Sequence, residues 1–569
     1  MAEEEAGDPM SEQVWVRNSV ERISEKLKDH GIEVCGKTVW RLLRQMKYSM
    51  KYSKKRRAGS GNDRPEVDAQ FGYIAAKRKE FLAAGMPVIS IDTKKKELIG
   101  DFKKPGRVWC RSAPQVEEYD FPYLASCRAV PFGIYDVGRN VGYVVVGVNM
   151  RGTGCSGGAF DFMETLQSLD GYDVVETLAR QSWSNGHVGM VGISYSGYSQ
   201  LYVGATNPPH LDAIAPASPY SDTYSGILYP GGILNNGFAV DWATEREDGA
   251  KPAAHTWVKN RIKNGDQVCS DNQVMRLQSQ KLLQQIQSTP FADHKFDYLN
   301  TETFVDKIKM PVYLSAQWQD EQTGGSSANL IPLFDPHTKV YASFTNGAHV
   351  EPMAPSEIYE AMVFLDLYVA KRIPHISNLL YLGAGAVLAD LFGSKDEQRY
   401  WLPYNPWPQQ PTYEAALATY EAQKPIRIKW ENGTVPGKEG EPFSPLVTRL
   451  SSWPPSNSIN QKIYLQPDGK AADAPSDVAD SDRRASSSYT YDPTSKRAST
   501  FDGSTDQAWY AHPNYHWNVL KEGNSLSYVT EPYAKKVAYA GEGSADLWIR
   551  SSAADTDLEV TLTEVRPDG

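Results

Sequence analysis

Residues 186–207 read "GHVGMVGISYSGYSQLYVGATN": a short apolar segment, a turn of small residues, then a helical pattern. Ser194 stands at the turn, with Gly192 two residues before it, Ser196 two after and Gly197 three after. A serine nucleophile on a sharp strand-to-helix turn needs such neighbours, because strand and helix approach closely around it. The stretch therefore predicts an α/β sheet that presents Ser194 at a strand's carboxyl end. The competing reading is a turn serine that only caps a helix.

A serine nucleophile needs a base and a group that orients the base. In α/β-hydrolases the chain order is Ser, then Asp or Glu, then His. "KMPVYLSAQWQDEQTGG" (309–325) is an apolar strand running to Asp320, and "TKVYASFTNGAHVEP" (338–352) is a strand whose following loop holds His349. Both groups fall at strand carboxyl ends, the side where sheet ligands bind. Glu321 competes with Asp320 but lies one residue further into the loop. His337 precedes its strand, and His375, His512 and His516 follow no strand of this type. The backbone N–H of Tyr195, next after the nucleophile, is the candidate oxyanion donor.

A second glycine-rich stretch, "GYVVVGVNMRGTGCSGG" (142–158), fits two fingerprints. Gly152, Gly154 and Gly157 match a dinucleotide-binding turn, while Gly154, Ser156 and Gly158 match a nucleophile elbow. Ser156 lies too far past the strand for an elbow. A dinucleotide site would need a helix directly after the glycines and an acidic residue ending the next strand. Here "GYDVVETLARQ" (171–181) is the helix, and the next strand runs to Ser194. The glycines are expected to form a structural loop, with no bound cofactor.

The 569 residues are 41% hydrophobic and 22% charged, which fits a globular protein of several domains. No apolar run reaches the roughly 18 residues needed to span a bilayer. The start, "MAEEEAGDPM", is not a secretory signal, so a cytoplasmic location and no membrane partner are expected. The five cysteines, at 35, 110, 127, 155 and 269, lack metal-site spacing. They read as reduced thiols rather than a disulfide framework.

The hydrolase-type residues carry a family resemblance. "NMRGTGCSGGAFDF", "LDGYDVVETLARQSWSNGHVGMVGISYSG", "NPPHLDAIAP", "LYPGGILNNGFAVDW", "QWQDEQTGG" and "FTNGAHV" occur in this order. Residues 148–375 thereby resemble the CocE/NonD hydrolases, which include Xaa-Pro dipeptidyl-peptidase-like enzymes. The resemblance implies Ser194 as nucleophile, Asp320 as acid, His349 as base and Tyr195 N–H as oxyanion donor. It also implies a helical cap, here about 220–305, in which "AAHTWVKNRIKNGD" and "NQVMRLQSQKLLQQIQ" read as helices. Tyr229, Phe238 and Trp242 either line a pocket there or simply pack. From 376 to 569, short alternating segments such as "PIRIKWENG", "KVAYAGEGSADLWIRSSA" and "DLEVTLTEV" suggest a β-sandwich. The family carries a jelly roll in this place. "DLEVTLTEV" runs into "RPDG" without a return strand, so a truncated jelly roll is expected. The family's second oxyanion donor is a tyrosine hydroxyl; Tyr135 is nearest in sequence but is not assigned.

The first 147 residues read differently. Residues 41–57, "RLLRQMKYSMKYSKKRR", hold eight positive charges and no negative one, within a helix-turn-helix-like pattern spanning about 10–57. "TVWRLLRQMKYS", "RPEVDAQFGYI", "FLAAGMPVISIDTKKKELIGDFKKPGRVW" and "VPFGIYDVGRNVGYVVVGV" resemble a bacterial insertion-sequence transposase of the DDE type. That resemblance implies a partial RNase-H-like sheet over about 66–147, with Asp92 as the first of three metal-binding carboxylates. The other two acidic motifs are absent, and one carboxylate does not hold two magnesium ions, so no metal site is expected. Weak, non-specific DNA binding is expected of the basic run. The leading expectation is a cofactor-free serine hydrolase that cleaves a small ester or a peptide amide. The alternative is an inert chimera whose transposase remnant binds DNA.

Overall fold

The computed structural model describes residues 141–376, 378–432, 441–477, 486–495 and 520–565, with short pieces before 141 and between 499 and 518. Two units are present, Met1–Ala83 and Ala84–Gly569. In the first, β1 (Glu5–Gly7) pairs antiparallel with β2 (Val14–Val16), and α1 spans Gly36–Gln45. The Val-Trp-Val run of β2 is β-branched and aromatic, which suits a strand. Within the helix-turn-helix-like pattern, Gly36–Gln45 forms a helix, α1. Of residues 17–30 only 24, 27 and 28 are described, and residues 46–57 of the basic run lie outside the described residues.

In the second unit, β5 (Cys127–Asp136) pairs antiparallel with β3 (Ile89–Thr93), β4 (Glu97–Ile99) and β6 (Val141–Gly147). Asp92 lies on β3 opposite Gly133, and Tyr135 lies on β5. The "GYVVVGV" strand is β6. It pairs with β5 and has no place in the sheet that carries Ser194.

That sheet has the order β12-β11-β10-β9-β8-β7. Its strands are β7 (Val188–Ile193), β8 (Leu211–Ala217), β9 (Val312–Gln317), β10 (Val340–Thr345), β11 (Ile426–Lys429) and β12 (Val447–Leu450). The first five run parallel and β12 runs antiparallel to β11. Parallel strands are covered on both faces and so read as continuous apolar runs. β9, "VYLSAQ", is buried at every position. β7 lies at the sheet's edge, and its Val191 is 56% exposed.

Helices cover both faces. On one lie α2 (Thr165–Ala179), α3 (Tyr195–Ala205) and a cap containing α4 (Ala239–Ala250), α5 (Thr256–Lys263), α6 (Gln267–Asp271) and α7 (Leu282–Gln287). Phe160, Phe162, Tyr198, Leu201, Ile214, Leu228 and Ile286 form the core there. On the other face α8 (Pro355–Tyr368) packs Phe364 and Leu367 among Tyr313, Tyr341, Tyr400 and Tyr420. The cap stretch 272–287, expected as one helix, is broken into a 3-10 turn at Val274–Gln278 and α7. Its break at Ser279–Gln280 is held by Phe160, whose N–H donates to Ser279 Oγ and whose carbonyl accepts from Gln280 N–H.

The jelly roll expected after residue 376 does not close among the described residues. "PIRIKWENG" supplies β11, which extends the hydrolase sheet instead. Further on are a three-stranded sheet, β13 (Tyr464–Leu465), β14 (Lys470–Ala472) and β17 (Val529–Thr530), and the pair β15 (Ser499–Phe501) and β16 (Tyr515–Trp517). Residues 536–565 form no strand, and their Trp548, Ile549, Val560 and Leu562 are exposed. Alternation alone does not make a strand: the apolar side of such a segment needs a facing sheet to bury it.

Candidate active site

Ser194 joins β7 to α3 at φ 62°, ψ −124°, a conformation rarely adopted by a residue with a side chain. Its N–H donates to the Ala217 carbonyl at 3.0 Å, and its own carbonyl accepts from Tyr198 N–H at 2.7 Å. The glycines are required by contact. A Cβ on Gly197 would fall on the Ala217 carbonyl oxygen, and one on Gly192 would overlap Ser196. This is a strained elbow rather than a capping turn: Ser194 makes no side-chain cap bond to its helix. Tyr195 opens α3, so its N–H is among the first-turn donors that no helical carbonyl satisfies.

Asp320 follows β9 and His349 follows β10, its parallel neighbour. Asp320 Oδ2 accepts from His349 Nδ1 at 2.7 Å, and both residues are buried. Asp320 Oδ1 accepts the N–H groups of Gln322 and Thr323 at 2.9 and 2.7 Å, so the carboxylate is fully held. His349 Nε2 is buried and has no hydrogen-bond partner among the described residues. Burial opposes charge on this imidazole, but the Asp320 carboxylate outweighs it and holds the ring above its ordinary pKa. Glu321, the competitor, bonds the His349 backbone N–H at 3.0 Å instead of the ring.

Serine and histidine are tied to consecutive residues at the end of β8. Ala217 receives the Ser194 N–H, while Ser218 Oγ donates to the His349 carbonyl at 2.7 Å. Ser218 itself is strained, at φ 48°. Its hydroxyl also lies 2.8 Å from the Gln317 side-chain oxygen. Sequence reasoning missed Ser218, because a serine after "DAIAPA" carries no motif.

The glycine loop at 152–158 bonds largely to itself and to its approach. Gly152, Thr153 and Ser156 give their N–H groups to Gly157, Met150 and Thr153 of the same loop. Its carbonyls at Gly154, Ser156 and Gly158 converge on buried Arg276, at 3.1, 2.7 and 3.4 Å. Burial lowers that guanidinium's pKa to about 10. Ser156 Oγ donates to Asn149 O at 2.6 Å and is no nucleophile. Cys155 forms a disulfide with Cys269 of α6, across 4.6 Å between Cα atoms. This corrects the reading of reduced thiols for Cys155 and Cys269, while Cys35 is a free thiol. The two cysteines are far apart in sequence, and only cap packing brings them together.

The loop continues to the site wall. Gln167 donates to Asp161 O and accepts from Tyr195 OH at 3.2 Å. The Tyr195 ring stacks on Trp242 and meets Phe162 edge-on. Tyr229 and Phe238 are buried in the cap core, so packing accounts for both. Trp242, half-buried beside Tyr195, is the one of the three that adjoins the elbow. Among the described residues no cluster of three metal-ligating side chains occurs, and no helix is long and apolar enough to cross a membrane.

A parallel sheet with a strained serine elbow and an acid–histidine pair at neighbouring strand ends defines an α/β-hydrolase domain. The particular relatives agree with it. Residues 135–351 match the model of the X-Pro dipeptidyl-peptidase (S15 family), and 395–569 match the X-Pro dipeptidyl-peptidase C-terminal non-catalytic domain. Residues 1–156 match a Rhodopirellula transposase DDE domain. The transposase and S15-family matches overlap in the β5–β6 region, at 135–156.

Cocaine esterase of a Rhodococcus species is 23% identical over 452 residues, covering 75% of this chain and 71% of the relative. A Mycobacterium bovis protein provisionally named a serine esterase is 35% identical over 115 residues, 20% of this chain. That alignment spans only 18% of the mycobacterial protein's length. A CocE/NonD family hydrolase from Staphylococcus aureus is similar in structure, with TM-score 0.40 and 21% identity. There 60% of this chain and 48% of the relative are covered.

Proposed function

We propose that the chain is a serine hydrolase of the CocE/NonD, Xaa-Pro dipeptidyl-peptidase-like type, which cleaves a small ester or peptide amide through an acyl-enzyme on Ser194. The observation that carries this reading is the strained elbow at Ser194 together with the buried Asp320–His349 pair. Ser194 Oγ attacks the acyl carbon and gives its proton to His349 Nε2. Asp320 fixes the ring tautomer and stabilises the imidazolium that forms. The Tyr195 N–H, at the positive end of α3, receives the developing oxyanion. Collapse expels the alcohol or amine, which takes the proton from His349. Water then repeats the sequence and frees the acid, with no cofactor involved.

In this reading residues 148–375 form the body of the catalytic domain, with its cap at about 220–305; β11 and β12 add to its sheet from beyond residue 376, and the rest of 376–569 is the C-terminal β region. Residues 1–147 are a transposase-like arm. The test is turnover of short-chain p-nitrophenyl esters and of Xaa-Pro anilides by the chain and by Ser194→Ala. Hydrolysis of either class that disappears in Ser194→Ala supports the reading. Hydrolysis that survives in the variant contradicts it.

A second reading concerns the arm alone. The transposase match over 1–156 and the eight charges of 41–57 favour weak, non-specific DNA binding. Its Kd is expected at roughly 10⁻⁴–10⁻⁶ M at physiological salt. Retention on DNA should fall steeply as salt rises, without strand transfer in magnesium. Salt-insensitive retention, or strand transfer, contradicts it.

A further inference from the structure

We propose that Glu321 is a positioning residue that governs the protonation of His349 and so adds a second pH-dependent step to the hydrolase; the inference rests on the reading of Ser194, Asp320 and His349 given above. Asp320 and Glu321 are consecutive carboxyls on one loop, yet only Asp320 reaches the imidazole. Glu321 Oε2 accepts the backbone N–H of His349 at 3.0 Å. Its Oε1 is buried and has no hydrogen-bond partner among the described residues. Burying a carboxylate oxygen away from hydrogen-bond donors makes the group costly to ionise.

Burial, and then the Asp320 charge beside it, push the Glu321 carboxyl up to about 7. The bond from the His349 N–H and the charge of His349 act in the opposite sense. The titratable groups that bear on Glu321 are thus Asp320 on its own loop and His349 on the loop after β10. Because each bears on the other, Glu321 and His349 titrate as a coupled set. Once ionised, Glu321 places a second negative charge next to the imidazole, which favours the imidazolium formed when Ser194 gives up its proton. Protonated, it leaves only the hydrogen bond.

The experiment measures kcat/KM for an ester from pH 5.5 to 9 in the parent chain, Glu321→Gln and Glu321→Asp. Glutamine keeps the shape and an oxygen for the His349 N–H but cannot ionise. The loss in Glu321→Gln is expected to reach about tenfold above pH 8, the effect of one pKa unit on His349. It should shrink as the pH falls below 7, and Glu321→Asp should restore part of the alkaline limb.

A readout independent of turnover is the NMR titration of the His349 imidazole in a Ser194→Ala background, assigned by its loss in His349→Asn. Its midpoint should fall by about one unit when Glu321→Gln is added. If that variant does not fold, the His349 signal of the Ser194→Ala chain should itself report two ionisations, and a single one overturns the proposal. Superimposable titrations overturn it, as does a loss equal at every pH. A shifted His349 midpoint in a chain that hydrolyses nothing supports the role of Glu321 and overturns the hydrolase reading instead.

Discussion

Asp320 Oδ2 lies 2.7 Å from His349 Nδ1, with both side chains almost wholly withdrawn from solvent. The bond fixes the proton on Nδ1 and leaves Nε2 as the basic nitrogen. Asp320→Asn keeps the shape but lets the amide favour the wrong tautomer. It should lower kcat by about 10⁴, the size of that effect in the serine-protease precedent. Steady-state ester turnover across pH 6–9 checks this. A loss below tenfold would mean that Asp320 is not the orienting acid.

The elbow depends on Gly197. A methyl group there would meet the Ala217 carbonyl, the acceptor of the Ser194 N–H. Neither β8 nor α3 can retreat without opening the sheet. Gly197→Ala should destabilise by about 1–3 kcal/mol, the usual cost of overpacking, and should impair Ser194 reactivity as well. Gly147, where a Cβ meets nothing within 4 Å, is the control site. Denaturant unfolding of both alanine variants checks the difference, and equal midpoints would contradict it.

The elbow was legible because its chemistry is local. Strand, turn and helix lie within about twenty residues, and small side chains mark the close approach. Asp320 and His349 were legible because each follows an apolar strand. Arg276 was not: in the sequence it is one more basic residue in a Gln-rich helix pattern, and only folding brings three loop carbonyls around it. The Cys155–Cys269 bond was hidden for the same reason. The alternation of "PIRIKWENG" suggests a strand of the C-terminal β-sandwich, but β11 pairs with β10 in the hydrolase sheet. Its Arg427 and Lys429 are in fact buried against Glu357 and Glu351 from the α8 side.

That buried network has a pH signature. Burial would raise the Glu357 carboxyl, but Arg427 at 2.8 Å, with Lys429, holds it down at about 2. Its folded pKa lies below the unfolded value near 4.5. The stability it contributes is therefore present above about 4.5 and lost as the pH falls through 2. Glu357→Gln removes the nearest carboxylate from buried Arg427, leaving Glu360 at 4.0 Å, and should cost about 3–5 kcal/mol at pH 7. The gap between variant and parent should narrow below pH 4.5. Unfolding free energies measured from pH 7 down to 3 check it, and a gap independent of pH would contradict it.

The disulfide clasps the glycine loop to the cap over a long chain separation. Non-reducing peptide mapping should recover Cys155 and Cys269 in one linked pair. Reduction, or Cys155→Ser with Cys269→Ser, should lower stability by about 2–4 kcal/mol. The loss should appear first as faster hydrogen exchange in 152–162 and 267–280, the two stretches the clasp joins. Unchanged exchange there after complete reduction would contradict it.

The central claim is that Ser194 is an activated nucleophile, and labelling with a fluorophosphonate tests it most directly. The probe phosphonylates only a serine whose proton a neighbouring base removes. Intact-mass analysis should show one adduct per chain, and peptide mapping should place it on Ser194. The adduct should be absent in Ser194→Ala and strongly slowed in His349→Ala. A folded chain that takes up no probe, or carries it on another serine, would contradict the account.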